Sequence, residues 1–175
     1  MSGQQRLPLE LDPFRMAELG RQFTGKVEIS SLKRLLPVLE SATGQIDVEL
    51  QFDIDEGGIR YLHGKLATSL VLKCQRCLTA MEFPLRNEFW LAFVQSDSEA
   101  EHLPEQYEPQ LVETTPIHVL DMLEDEILLS LPHIPLHSNA SCSIQQFSDE
   151  DELAEQRDEV VTNPFAILGK LKKDH

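Results

Sequence analysis

The sequence predicts an α+β fold, an antiparallel β-meander covered by a few helices, and three observations carry that prediction. Residues Gln45 to Ile54 alternate strictly between apolar and polar side chains, and two more alternating segments follow after short turns. Near residue 120 the apolar positions change to helical spacing. Of the 175 residues, 41% are hydrophobic, enough to bury a core in one domain despite a net charge of −15.

The elements follow in chain order. Asp12 before Pro13 is a helix-start signal: the carboxylate can accept orphan backbone N–H groups, and a proline at the first helical position gives up no bond the helix would have made. Leu32, Leu35, Leu36 and Leu39 form one stripe of a second predicted helix beginning at Ser30 or Ser31, with Pro37 as its kink. The first strand then places Ile46, Val48, Leu50, Phe52 and Ile54 on one face. Asp55-Glu56-Gly57-Gly58 is a turn, and Ile59 to Cys74 continues the alternation through Leu62, Leu66, Leu70 and Leu72, with Gly64 and Thr68 in phase. A third strand runs from Cys77 to Phe93, where Pro84 suits an edge or bulge better than a central strand. Residues Ser96 to Pro116 are polar and acidic and read as a long connection. Leu120, Leu123, Ile127, Leu128 and Leu131 then define a helix that ends at Pro132 and covers the sheet.

We assign residues 1–147 to the α+β domain, 148–162 to an acidic linker and 163–175 to a C-terminal docking helix. The linker is rich in Asp and Glu, and its mutual repulsion opposes packing. The last segment opens with Asn163 and Pro164, carries Phe165, Leu168 and Leu171 on one stripe, and ends in lysines that suit the helix dipole. Such a tethered apolar helix docks either on its own domain or on a partner.

Charge limits the partners. Residues 1–90 hold 11 basic and 12 acidic groups, whereas residues 91–169 hold 1 and 17. A polyanion repels phosphate backbones, so any direct contact with RNA belongs to the first half, where Lys65, Lys73, Arg76 and Arg86 on the outward strand faces form either a positive strip or an ordinary solvated surface. No apolar run is long enough to span a bilayer, and the N-terminus lacks the pattern of a signal peptide, so the expected location is the cytoplasm without membrane contact.

Chemistry has two candidate locations. Cys74-Gln75-Arg76-Cys77 falls between two strands, at a hairpin tip, where two sulfurs can converge on a structural zinc; Cys142 and His137 would complete the set, with His133 nearby, and a metal-free turn is the alternative. No helix begins at the motif to activate a thiol for redox work. Glu124, Asp125 and Glu126 could hold a divalent ion as an RNA-processing nuclease does, but adjacent residues on a helix point in different directions, and one buried among apolar neighbours needs an Arg or Lys partner.

The chain resembles the YceD family of bacterial large ribosomal RNA subunit accumulation proteins. The resemblance rests on Leu7-Pro8-Leu9 with Leu11-Asp12-Pro13, Cys74-Gln75-Arg76-Cys77, Leu103-Pro104-Glu105 with Tyr107-Glu108-Pro109, Val119-Leu120 with Glu124-Asp125-Glu126-Ile127, Leu131-Pro132, and Asn163-Pro164-Phe165-Ala166 with Leu171-Lys172. It implies a non-enzymatic factor for the synthesis, processing or stability of large-subunit ribosomal RNA, with no required cofactor and no catalytic residue. The charge distribution adds a basic ribosomal or rRNA-processing protein as partner. Many members carry a second cysteine pair after the Leu-Pro block, where this chain has Cys142 and nearby histidines. The alternative function is a metal-dependent RNA-processing enzyme built on the Glu124 cluster.

Overall fold

In the computed structural model, which describes residues 7–138 and Cys142, the three alternating segments become neighbouring strands of one sheet. A two-residue strand β1 (Glu10–Leu11) leads into helix α1 (Pro13–Glu18), where Asp12 accepts the backbone N–H of Phe14 at 3.1 Å and of Arg15 at 3.2 Å, as its position predicts. Strand β2 (Gln22–Glu28) comes next and was not foreseen: Gly25 interrupts the apolar phase of Phe23 and Val27. The meander itself is β3 (Gln45–Ile54), β4 (Arg60–Lys73) and β5 (Ala80–Val94), at the expected places.

The connection after β5 holds more structure than its composition suggests, namely helix α2 (Asp97–Ala100) and strand β6 (Glu108–Leu111). Strand β7 (Ile117–His118) pairs with β1, and helix α3 (Val119–Ser130) follows directly. The main sheet has the order β2-β3-β4-β5-β6, antiparallel throughout except for the β5–β6 pair. Because β6 pairs only with Leu91–Val94, Pro84 sits on a stretch of β5 with no strand on its other side among the described residues, which is where a residue without an N–H does no harm.

One face of the sheet is the core. Val48, Phe52, Leu62 and Leu70 are fully buried there, and Val119, Leu123 and Ile127 of α3 pack into the same cluster. Gly64 belongs to this face, opposite Phe89, whose ring lies over it so closely that a Cβ on residue 64 would overlap the ring. The helix expected from Ser30 to Leu39 does not form. Instead two single 3₁₀ turns, Ile29–Ser31 and Leu36–Val38, flank an irregular stretch in which Leu32 and Leu35 are fully buried. Pro37 supplies no N–H, and the amides of Arg34 and Leu35 bond to a side chain of α3 rather than to the preceding turn.

The outer face is mixed in charge. Lys65 pairs with Glu88 at 3.1 Å and Lys26 with Asp47 at 2.8 Å, whereas Lys73, Arg76 and Arg86 are exposed and make no ion pair among the described residues. The acidic linker 148–162 and the segment carrying Phe165, Leu168 and Leu171 lie outside the described residues. No helix among those described is long and apolar enough to cross a membrane.

The Gly64–Phe89 contact yields a direct test. Gly64→Ala should lower stability by about 1–3 kcal/mol, read as an earlier urea midpoint with an unchanged slope. The loss should shrink when Phe89→Leu removes the overlying ring; equal losses in both backgrounds would disprove the contact.

Candidate functional site

The hairpin joining β4 to β5 is closed by two backbone hydrogen bonds, Cys74 N–H to Thr79 O and Leu78 N–H to Cys74 O, both 2.9 Å. Leu78 has a φ of 60°, a left-handed conformation costly for a residue with a side chain, so the tight turn is held against local strain. The other wall of the site comes from the chain after α3. Gln75 N–H donates to Pro135 O at 2.9 Å, which ties this segment to the hairpin tip and brings His137 beside Cys77.

Four donors converge there. Cys74 Sγ is 3.5 Å from Cys142 Sγ, Cys77 Sγ is 3.4 Å from His137 Nδ1, and all four donor atoms lie within 4.8 Å of one another. His133 is exposed and outside the cluster. Four ligands around zinc at a Zn–S distance of about 2.3 Å stand roughly 3.8 Å apart along the edges of a tetrahedron; the Cys74–Cys142 and Cys77–His137 separations lie near that figure, and every separation is within 4.8 Å. Three sulfurs and one imidazole nitrogen also form a closed structural donor set, with no position left for a substrate.

The surroundings favour negative sulfur at Cys74 and Cys77 but not at Cys142. Burial pushes the Cys74 thiol up, but the backbone N–H groups of Cys77, His137 and Arg76 outweigh it and hold the thiol at about 5. The Thr79 hydroxyl, 3.1 Å from Cys77 Sγ, and the Thr79 backbone lower Cys77 as well. His137 is raised by the sulfur of Cys74, whereas burial, followed by the neighbouring Cys77 and Cys74, pushes Cys142 up to about 11. Arg76 donates to Cys142 O at 3.4 Å. Sequence reasoning assembled the four donors; it missed Thr79 and the contact of Arg76 with Cys142, neither of which follows from a ligand type in a recognisable spacing.

The carboxylates of α3 diverge instead of converging. Glu124 is buried and accepts the backbone N–H of Arg34 at 2.8 Å and of Leu35 at 3.3 Å, together with Arg34 Nε at 3.2 Å. The same guanidinium reaches Asp125 at 2.7 Å and the carbonyl of Asp121 at 2.6 Å. Here is the basic partner that a buried carboxylate requires. Glu126, also buried, lies on the other side against Asn87 Nδ2 at 3.4 Å. Burial raises its pKa to about 7, with the charge of Glu108 adding to the shift and Asn87 opposing it.

Fold and site together define a small antiparallel-sheet protein whose longest hairpin ends in a sulfur-rich, closed ligand cluster. The family model described as "Large ribosomal RNA subunit accumulation protein YceD" matches residues 62–172. The Large ribosomal RNA subunit accumulation protein YceD of Haemophilus influenzae (strain ATCC 51907 / DSM 11121 / KW20 / Rd) is 31% identical over 174 residues, covering 96% of this chain and 97% of that protein. The chain belongs to the YceD family. No solved structure matches it.

Glu126 makes stability depend on pH with a defined sign. Its folded pKa lies above its unfolded value, so the folded state binds the proton more tightly; stability is greatest below about 4.5 and declines as pH rises towards about 7. Glu126→Gln, which cannot ionise, should therefore melt several degrees above the native protein at pH 8 and close to it at pH 5, measured by thermal denaturation. A gain of equal size at both pH values would show that the buried charge is not the cause.

Proposed function

We propose that this protein is a non-enzymatic factor supporting the synthesis, processing or stability of large-subunit ribosomal RNA in the bacterial cytoplasm, acting through a basic ribosomal or rRNA-processing protein. The observation that carries this reading is the relation to a relative named for accumulation of that RNA, which extends over 96% of the chain. The charge distribution supports the choice of partner: 17 acidic groups against 1 basic in residues 91–169 attract a cationic protein and repel a phosphate backbone. The engagement of Glu124 by Arg34 and the burial of Glu126 against Asn87 argue against a metal-dependent nuclease at that cluster. Phe165, Leu168 and Leu171 are the apolar stripe by which the C-terminal segment would hold the partner.

In this reading Cys74, Cys77, His137 and Cys142 hold a structural zinc. The metal supplies cross-linking rather than reactivity. The chain's own part is to present three sulfurs and Nδ1 within 4.8 Å of each other, and to aim backbone N–H groups at Cys74.

Deletion of the gene should lower mature large-subunit ribosomal RNA relative to small-subunit RNA, measured by gel or blot; an unchanged ratio would remove the function. Protein purified without a polyhistidine tag should carry about one zinc per chain, and both chelation and Cys74→Ser should lower its melting temperature by several degrees. A metal content below about a tenth of an equivalent, with normal alkylation of all three thiols, would reduce the cluster to a metal-free turn.

A further inference from the structure

The outer face of the sheet carries a row of aromatic rings outside the apolar cluster under α3, with Tyr107 buried at one end. Tyr107 lies 5.5 Å from Tyr61 between ring centroids, Tyr61 lies 5.6 Å from Trp90, and His63 stacks on Trp90 at 3.9 Å with only 10° between planes. The row is fixed by polar contacts at both ends: Tyr107 Oη donates to Asp55 at 3.0 Å, and His63 Nε2 is 2.7 Å from Glu88. Yet Trp90, the one tryptophan of the chain, is 39% exposed. A large indole pre-positioned in this way and left facing water loses little conformational freedom when a partner covers it.

The charge beside the row selects the partner. Strand β3 lies next to β4 and puts Asp47, Glu49 and Asp53 on this face, with Asp53 directly opposite Tyr61 and Glu49 opposite Lys65. Asp47 and Lys65 are already paired, with Lys26 and Glu88 respectively. Glu49 and Asp53 have no ion-pair partner among the described residues. An exposed indole is attractive both to a nucleic-acid base and to a guanidinium or ammonium group. Only the cation also satisfies the two carboxylates; a base stacked here would bring its phosphates against them.

We propose that the outer sheet face around Trp90 is a docking surface for a basic protein segment, which lays an arginine or lysine against the exposed indole and pairs its other cations with Asp53 and Glu49. This rests on the reading of a basic protein partner and locates the contact on the described domain. It shares no residue with the sulfur cluster.

Because the chain has one tryptophan, intrinsic emission reports on the surface directly. The full-length protein is titrated with a synthetic peptide of alternating arginine and glycine, with its glutamine–glycine counterpart, and with a uridine oligonucleotide. The arginine peptide should give a saturable change in Trp90 emission, and the other two should not. Anisotropy of the labelled peptide should show Kd rising about three- to tenfold for Trp90→Leu and for the pair Asp53→Asn with Glu49→Gln. It should change less than about twofold when the same number of charges is removed elsewhere by Asp121→Asn with Glu40→Gln. The charge pair keeps the test decisive if the indole substitution fails to fold. Peptide binding that leaves the emission unchanged, or that is weakened equally by the distant pair, overturns this surface while sparing the basic-partner reading. Failure of the basic peptide to bind overturns both. A saturable response to the uridine oligonucleotide makes the face a nucleic-acid site and overturns the choice of partner.

Discussion

The carboxylate of Glu124 is the constraint on which the packing of the first half over the second depends. It enters the interior from the middle of α3 and accepts two backbone N–H groups and the guanidinium of Arg34. A buried charge is tolerable only when its lone pairs are met, and here they are met by a segment some ninety residues earlier in the chain. The same bonds take the amides that a helix through residues 30–39 would have used. Leu32 and Leu35 then drop into the core as side chains of an irregular segment instead of one face of a helix. One carboxylate thus decides a local conformation and a long-range contact together.

Much of the fold was legible because its strands obey a simple period. Residues 45 to 93 alternate with little interruption, and burying one face settles the register of β3, β4 and β5. The elements that escaped are those whose signal is tertiary. In β2 the alternation is broken at Gly25, and β6 contains only four residues with a proline among them, so each exists because a neighbouring edge offers hydrogen bonds. The 30–39 stripe misled for the opposite reason: its leucines have helical spacing, but the hydrogen bonds were committed elsewhere. At the sulfur cluster, residue types and the hairpin position sufficed to name Cys74, Cys77 and Cys142 and to offer His137 as the fourth donor. The choice of His137 over His133 depends on the bond from Gln75 to Pro135, which no spacing rule contains.

The two faces of the sheet show how one alternating pattern can serve two ends. Inward positions are aliphatic and phenylalanine-rich and pack under α3. Outward positions put Tyr61, His63 and Trp90 beside carboxylates on β3. A strand face required only to be wetted has no need of stacked rings. Acidic character is therefore not confined to the second half of the sequence, even though charge counting places it there: β3 contributes it to the first half at the positions where it borders the rings.

The cluster at the hairpin tip joins residues 68 positions apart, and this has a consequence for the order of synthesis. Cys74 and Cys77 leave the ribosome well before His137 and Cys142 exist, so the nascent chain carries for a time an incomplete pair of sulfurs on a finished hairpin. The meander, α2, β6 and α3 can all be in place during that interval. The four donors can come together only once translation has passed Cys142. A chain terminated earlier keeps its sheet sequence but presents two uncommitted thiols, a chemical mark by which a truncated product differs from a complete one.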